Sequence, residues 1–243
     1  MTKESSPPTP PGWGNDSLSE YIDVARQNVF ATFHNLKHIY ERLRDISGVF
    51  KELEAHLNNP KEWFAVFFVV RAECSYLSAA ELALSGKAVE AFVVLRACLE
   101  AALYGLYLSR NPDKQEVWLR RGEDEKARKA CRNEFTSGRL LRCLKEVDSV
   151  THDRVKKLYD ISLDFGGHPN ELAITSMLES DTEDGQIHFN QLCMTDNDYR
   201  LRHALAMTAR TGICVLDVFR NVFSERYEIL DLPEKIDALR KDL

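Results

Sequence analysis

The chain has 243 residues, 44% of them hydrophobic, and a formal net charge of -6. That length and apolar content suffice for one sizeable core and one domain. The acidic balance excludes a surface that grips nucleic acid over its whole area and leaves room only for a local basic stripe.

In chain order, residues 1–16 are rich in Pro, Ser, Thr and Gly and read as a disordered tail without the apolar core of a signal peptide. The all-helical bundle domain is expected over residues 17–243. From Asp16 or Ser17, the positions Leu18, Tyr21, Ile22, Ala25, Val29, Phe30, Phe33, Leu36 and Ile39 recur at three- and four-residue steps. They predict one long amphipathic helix to about Ile46. Ser47 and Gly48 interrupt it, a short helical piece follows through His56, and Asn58-Asn59-Pro60 marks the next boundary. Trp63 to Leu84 and Ala88 to Leu108 are nearly unbroken apolar sequence hinged on Gly86, which predicts an antiparallel hairpin at the centre of the bundle. No segment approaches the roughly 18 charge-free apolar residues of a membrane span. No membrane is therefore expected, and the cytoplasm is the default location.

Asp113 and Glu116 resemble a capping box that opens a polar helix to about Asn133, with Gly122 as its weak point. Helices are also expected over residues 138–146 and 151–163, where Gly166 and Gly167 end the second and Pro169 starts another. Residues 179–185 read as a solvated acidic loop, and residues 186–192 allow no more than a short extended piece. Thr195 with Asp198 caps a long final helix, and Pro233 opens a short tail helix.

Six cysteines (Cys74, Cys98, Cys131, Cys143, Cys193, Cys214) form no CxxC pair, the usage of a reducing compartment. Cys74 and Cys98 are expected to behave as small hydrophobes inside the apolar helices.

The few charges in the hairpin carry the functional question, because a charge on a helix apolar all round must find a partner or a path to water. Counting outward from Gly86 puts Glu73 within about one turn of Arg96 and Glu100, and Arg71 near the level of Glu100. Arg96 and Glu100, four apart, share a face. Two readings follow. The charges are an ion network that fixes the register of two apolar helices, or they line a ligand pocket made by Arg71, Glu73, Arg96, Glu100 and His168. His168 sits in a polar, glycine-punctuated loop, where an imidazole can act as a base, meet phosphate or simply cap the next helix. His34 and His38 are four apart, but a metal would need a third ligand from another helix, such as His203 or Glu41, and no metal or cofactor is expected. Nucleophile elbows, phosphate-cradling glycine loops and dinucleotide fingerprints are absent from the sequence. The basic run from Arg120 to Lys145 is interspersed with Glu123, Asp124, Glu125 and Glu134, and reads as a solvated helical face sooner than a nucleic-acid stripe.

Leu84-Ser85-Gly86-Lys87-Ala88, the following Arg96-x-x-x-Glu100 pair, Tyr107, Asn111-Pro112, and Tyr159-Asp160-Ile161-Ser162 ahead of His168 together resemble a family of uncharacterised bacterial all-helical proteins. The resemblance covers residues 62–170. More distantly, the chain is similar to HEPN-type helical bundles, some of which are RNases of toxin or phage-defence systems. It implies a helical fold and a part in defence or stress response. HEPN nucleases place a His four to six residues after an Arg, and no Arg here stands in that relation to a His. The expected function is a binding or interaction module with a polar pocket at the central hairpin, taking a small molecule or a protein. Self-association is expected through the hairpin or the last helix. The alternative is an RNA-cleaving or nucleotide-acting enzyme in which His168 takes a proton and Arg96 or Arg71 meets phosphate.

Overall fold

The computed structural model describes residues 9–167, 171–183, 186–196, 199–241 and 243. Its helices are α1 (Ser17–Asn35), α2 (Lys37–Ala55), α3 (Trp63–Leu84), α4 (Ala88–Arg110), α5 (Gln115–Leu119), α6 (Glu125–Glu134), α7 (Ser137–Val147), α8 (Ser149–Ser162), α9 (Glu171–Thr175), α10 (Tyr199–Arg220), α11 (Ser224–Ile229) and α12 (Leu232–Arg240). Two strands, β1 (Leu178–Glu183) and β2 (Gln186–Gln191), pair antiparallel.

α3 and α4 pack along their whole lengths as the predicted antiparallel hairpin, and α10 lies across both. Gly86 makes the reversal at φ +83°. Its carbonyl accepts a hydrogen bond from the Thr195 amide at 2.9 Å, and a Cβ at this position would run into the Thr195 carbonyl. Backbone conformation and space both demand glycine there. Leu95, Leu99, Leu103 and Leu106 of α4 are fully buried together with Phe50, Tyr76, Phe219 and Tyr227. The two buried phenols are bonded to backbone, Tyr76 to the Leu43 carbonyl at 2.9 Å and Tyr227 to the Leu216 carbonyl at 2.7 Å, as buried polar groups must be.

Several boundaries differ from those the sequence predicts. The long first helix is two, because the backbone leaves helical geometry at Leu36 (φ -123°, ψ 40°). α1 is tied to the end of α3 by Thr32, whose hydroxyl donates to the Leu84 carbonyl at 2.9 Å, and by Asn28, which donates to the Ser85 carbonyl at 3.2 Å. α2 turns away to bury Leu43, Ile46, Val49, Phe50 and Leu53. Ser47 and Gly48 do not interrupt it, since that burial outweighs the roughly 1 kcal/mol that a glycine costs a helix interior.

The polar helix expected from Asp113 is also broken. A 3₁₀ turn at Pro112–Lys114, the short α5 and a second 3₁₀ turn at Arg120–Gly122 precede α6. The cap is Asp124, which accepts from the Ala127 amide at 2.6 Å, while Asp113 instead pairs with Lys114. β1 takes in residues 179–183 of the stretch 179–185 expected as a loop. β2 falls on the stretch that the sequence allows as a short extended piece; it is exposed along its length, so main-chain pairing holds this hairpin. α11 is a further short helix that the sequence pattern does not show. Pro169 and Asp198, expected to start and to cap helices, lie outside the described residues.

α3 itself is apolar all round without being buried all round. Trp63, Phe67, Val70, Cys74 and Leu77 are exposed along one side, so Cys74 is not the buried hydrophobe the sequence predicts. By length and composition, α3 and α4 are each apolar enough to cross a membrane; the sequence criterion of a charge-free stretch is the stricter one. In the fold they are the central pair.

Candidate functional site

The spacing of four places Arg96 and Glu100 on one face of α4. Arg96 Nε donates to Glu100 Oε1 at 2.8 Å, and the Tyr159 hydroxyl of α8 donates to the same oxygen at 3.0 Å. The Arg96 guanidinium lies over the Tyr159 ring, 5.5 Å from its centroid, a cation–π arrangement. Because both bonds fall on Oε1, Oε2 has no donor among the described residues. The Arg96 and Glu100 side chains are 32% and 37% accessible, so the group is a notch open to water and not a sealed clasp. Burial works against the Arg96 charge, but the Glu100 hydrogen bond and charge outweigh it and its pKa is raised. Burial first, then the Glu100 charge, raises the Tyr159 phenol, which therefore stays a donor at neutral pH.

The structure separates the other expected members from this pair. Arg71 is exposed. Glu73 is buried and points to α2, where Lys51 Nζ stands 2.9 Å from it. Two residues advance a helix by about 200 degrees, so Arg71 and Glu73 face opposite ways; the matching level of Glu73 and Arg96 is not a contact. Glu54 completes the α2 cluster. Burial pushes its carboxyl up to about 7, the neighbouring Glu73 adds to the rise, and Lys51 opposes it. His168 lies outside the described residues. Two positions earlier, Gly166 lies in a π-helical turn (Leu163–Gly167) pressed on α4 so closely that a Cβ there would come 2.7 Å from the Val93 amide nitrogen.

One turn beyond Glu100 on α4, Tyr104 is stacked between Phe68 and Phe135, with ring centroids 6.2 and 5.2 Å away. It borders a cavity of about 510 Å³ lined by Tyr104, Trp118, Arg121, Cys131, Arg132 and Phe135. The notch and the cavity are electrostatic neighbours. Burial raises the Tyr104 phenol most, the Cys131 and Glu100 charges add to it, and Arg121 pulls it down. Part of the basic run neutralises itself locally, Arg120 with Glu116 and Glu123, Arg128 and Arg132 with Glu125, and Arg139 with Glu134. Arg121 makes no ion pair among the described residues. Trp118 and Arg121 carry no periodic or spacing signal. Tyr159 does stand in the Tyr-x-x-Ser segment, and that resemblance is what could have pointed to it.

His34 and His38 fall on α1 and α2, on either side of Leu36, so they do not share one helical face. His203 is packed against Phe92 and Phe165, with burial holding its pKa down, and Glu41 pairs with Lys37. No cluster of three or more metal-ligating side chains is found among the described residues.

Comparison of the chain with known protein families, curated proteins and solved structures finds no match in any of the three. Its class is thus defined by its own geometry: an all-helical bundle with a polar notch and an aromatic cavity along its central helix.

Proposed function

We propose that the protein is a ligand-binding module whose site is the cavity beside Tyr104, adjoined by the Arg96–Glu100–Tyr159 notch. One observation carries this reading: Arg121, without an ion-pair partner among the described residues, borders a cavity walled by Tyr104, Trp118 and Phe135. Aromatic walls take a planar ring, and a guanidinium takes a carboxylate or phosphate in a planar fork. The volume falls within the range of about 300–1,000 Å³ usual for small-molecule sites. A planar anion, such as a nucleotide or an aryl phosphate, meets these requirements. Titration of the full chain with nucleotides, aryl phosphates and their uncharged analogues, read by thermal shift and calorimetry, tests it. Binding of the anionic members, weakened by Arg121→Ala and by Trp118→Ala, is the expected result. If no member stabilises the protein, the hairpin charges are structural only.

A second reading concerns self-association. Trp63, Phe67, Val70, Cys74 and Leu77 follow one another at steps of four, three, four and three, the seam by which two helices interlock. Trp63 is 58% and Phe67 63% exposed, and soluble monomers rarely show so continuous an apolar stripe. A second copy of the chain is the occupant this spacing fits, since each helix supplies the knobs and the holes of the other.

A further inference from the structure

A second cavity, of about 510 Å³, opens on another side of the bundle between α8, α10 and the end of α12. Its floor is apolar. Leu158 and Ile161 come from α8, and Met207 and Ile213 from α10. Cys214 adds to this floor, because burial pushes its thiol up to about 12 and keeps it uncharged. The same helix faces also bring four cations to the cavity: Arg154 and Lys157 from α8, Arg210 from α10, and Arg240 from α12. Such a gathering is conspicuous in a chain of net charge -6.

Nearby carboxylates offset Arg240 and, in part, Arg154, and leave Lys157 and Arg210. Asp217 is committed to Arg240, whose two terminal nitrogens reach its two oxygens at 3.0 and 2.9 Å, and Arg154 stands 3.8 Å from it. Asp160 is held by Lys156 at 2.6 Å. Asp153 is bonded to His152 at 2.8 Å. Lys157 and Arg210 make no ion pair or hydrogen bond among the described residues. Exposed like charges repel only weakly through water, so the fold tolerates Lys157 and Arg210 unpaired, and an incoming anion is favoured by both at once.

An apolar floor beneath a cationic rim selects a molecule with both characters. We propose that this groove is a further ligand site, separate from the cavity beside Tyr104, and that it binds an amphipathic anion. Its alkyl or acyl chain lies on Leu158, Ile161, Met207 and Ile213, and its phosphate or carboxylate head meets Lys157 and Arg210. Each methylene removed from water strengthens such binding roughly fourfold, and a charge-assisted hydrogen bond to the head adds roughly tenfold.

The test is calorimetric titration of the full chain with octyl phosphate, held below its micelle concentration, alongside octanoate, inorganic phosphate and octanol. Octyl phosphate is expected to bind one molecule per chain, with octanoate weaker. Inorganic phosphate and octanol should each bind at least roughly tenfold more weakly than octyl phosphate, since each lacks one half of the required chemistry. The double variant Lys157→Ala/Arg210→Ala should lose at least roughly tenfold in octyl phosphate affinity. Both side chains are exposed, so circular dichroism should show an unchanged melt. Trp118→Ala, at the other cavity, should bind octyl phosphate as the parent does. Inorganic phosphate binding as well as octyl phosphate would overturn the role of the floor, and octanol doing so would overturn the role of the cations. A loss caused by Trp118→Ala and not by the double variant would assign the ligand to the first cavity. Vesicles with anionic headgroups should leave the protein in the supernatant; sedimentation with them that the double variant abolishes would make this a membrane contact and overturn the free amphiphile.

Discussion

Tyr159 and Glu100 are 59 positions apart in the chain and meet through a 3.0 Å hydrogen bond that fixes α8 against α4. The bond uses the oxygen that Arg96 already holds, so it tightens the notch without closing it. Tyr159→Phe removes this donor and leaves the ring under the guanidinium. The expected cost is about 1 kcal/mol, below the usual range for a bond to a buried charge because water reaches Glu100. Urea denaturation of parent and variant measures it.

A double-mutant cycle on Arg96→Ala and Glu100→Ala separates a notch from a clasp. For a pair about one-third exposed, the interaction energy should be about 0.5–1 kcal/mol. A value well above about 2 kcal/mol would show that the pair is a desolvated structural lock.

Glu54 makes stability depend on pH. Its folded pKa, about 7, lies above the ordinary carboxylate value of 4.5 because of burial and then Glu73. A raised carboxyl stabilises the fold fully below its unfolded pKa and loses that contribution as pH rises through the folded one. Stability should therefore fall by about 1–2 kcal/mol between pH 4.5 and pH 8, water screening the partly exposed pair. Glu54→Gln should flatten this dependence and leave the variant the more stable at pH 8. Denaturation midpoints across that range decide the point, and identical slopes for the two proteins would refute it.

Glycines in three settings should respond differently to alanine. Gly86→Ala should cost more than about 2 kcal/mol, because φ is +83° and Thr195 fills the space. Gly166→Ala should cost about 1–3 kcal/mol by pushing its turn off α4. Gly48→Ala, in mid-helix with nothing within 4 Å of the new Cβ, should gain about 0.5–1 kcal/mol. Thermal melts rank all three.

On the binding reading, the protein should leave total RNA intact. Degradation by the parent that disappears in His168→Ala would establish the enzyme instead. For self-association, sedimentation equilibrium should give twice the chain mass, and Phe67→Glu should give the monomer with an unchanged helical spectrum. A monomeric parent at tens of micromolar would rule out the α3 seam.

What the sequence by itself determined is local. The apolar periodicity of α3 and α4, the reversal at Gly86 and the common face of Arg96 and Glu100 follow from helical spacing within a few turns of one chain segment. The break at Leu36, the capture of Glu73 by Lys51, the Tyr159 bond and the meeting of Trp118 and Arg121 with Tyr104 were decided only by tertiary structure. Each depends on which helix lies beside which, and spacing along one helix carries no record of its neighbour. Even the outer stripe of α3 reads the same as a core face, because the same side chains serve a core or an interface; only the packed bundle shows which of them water still reaches.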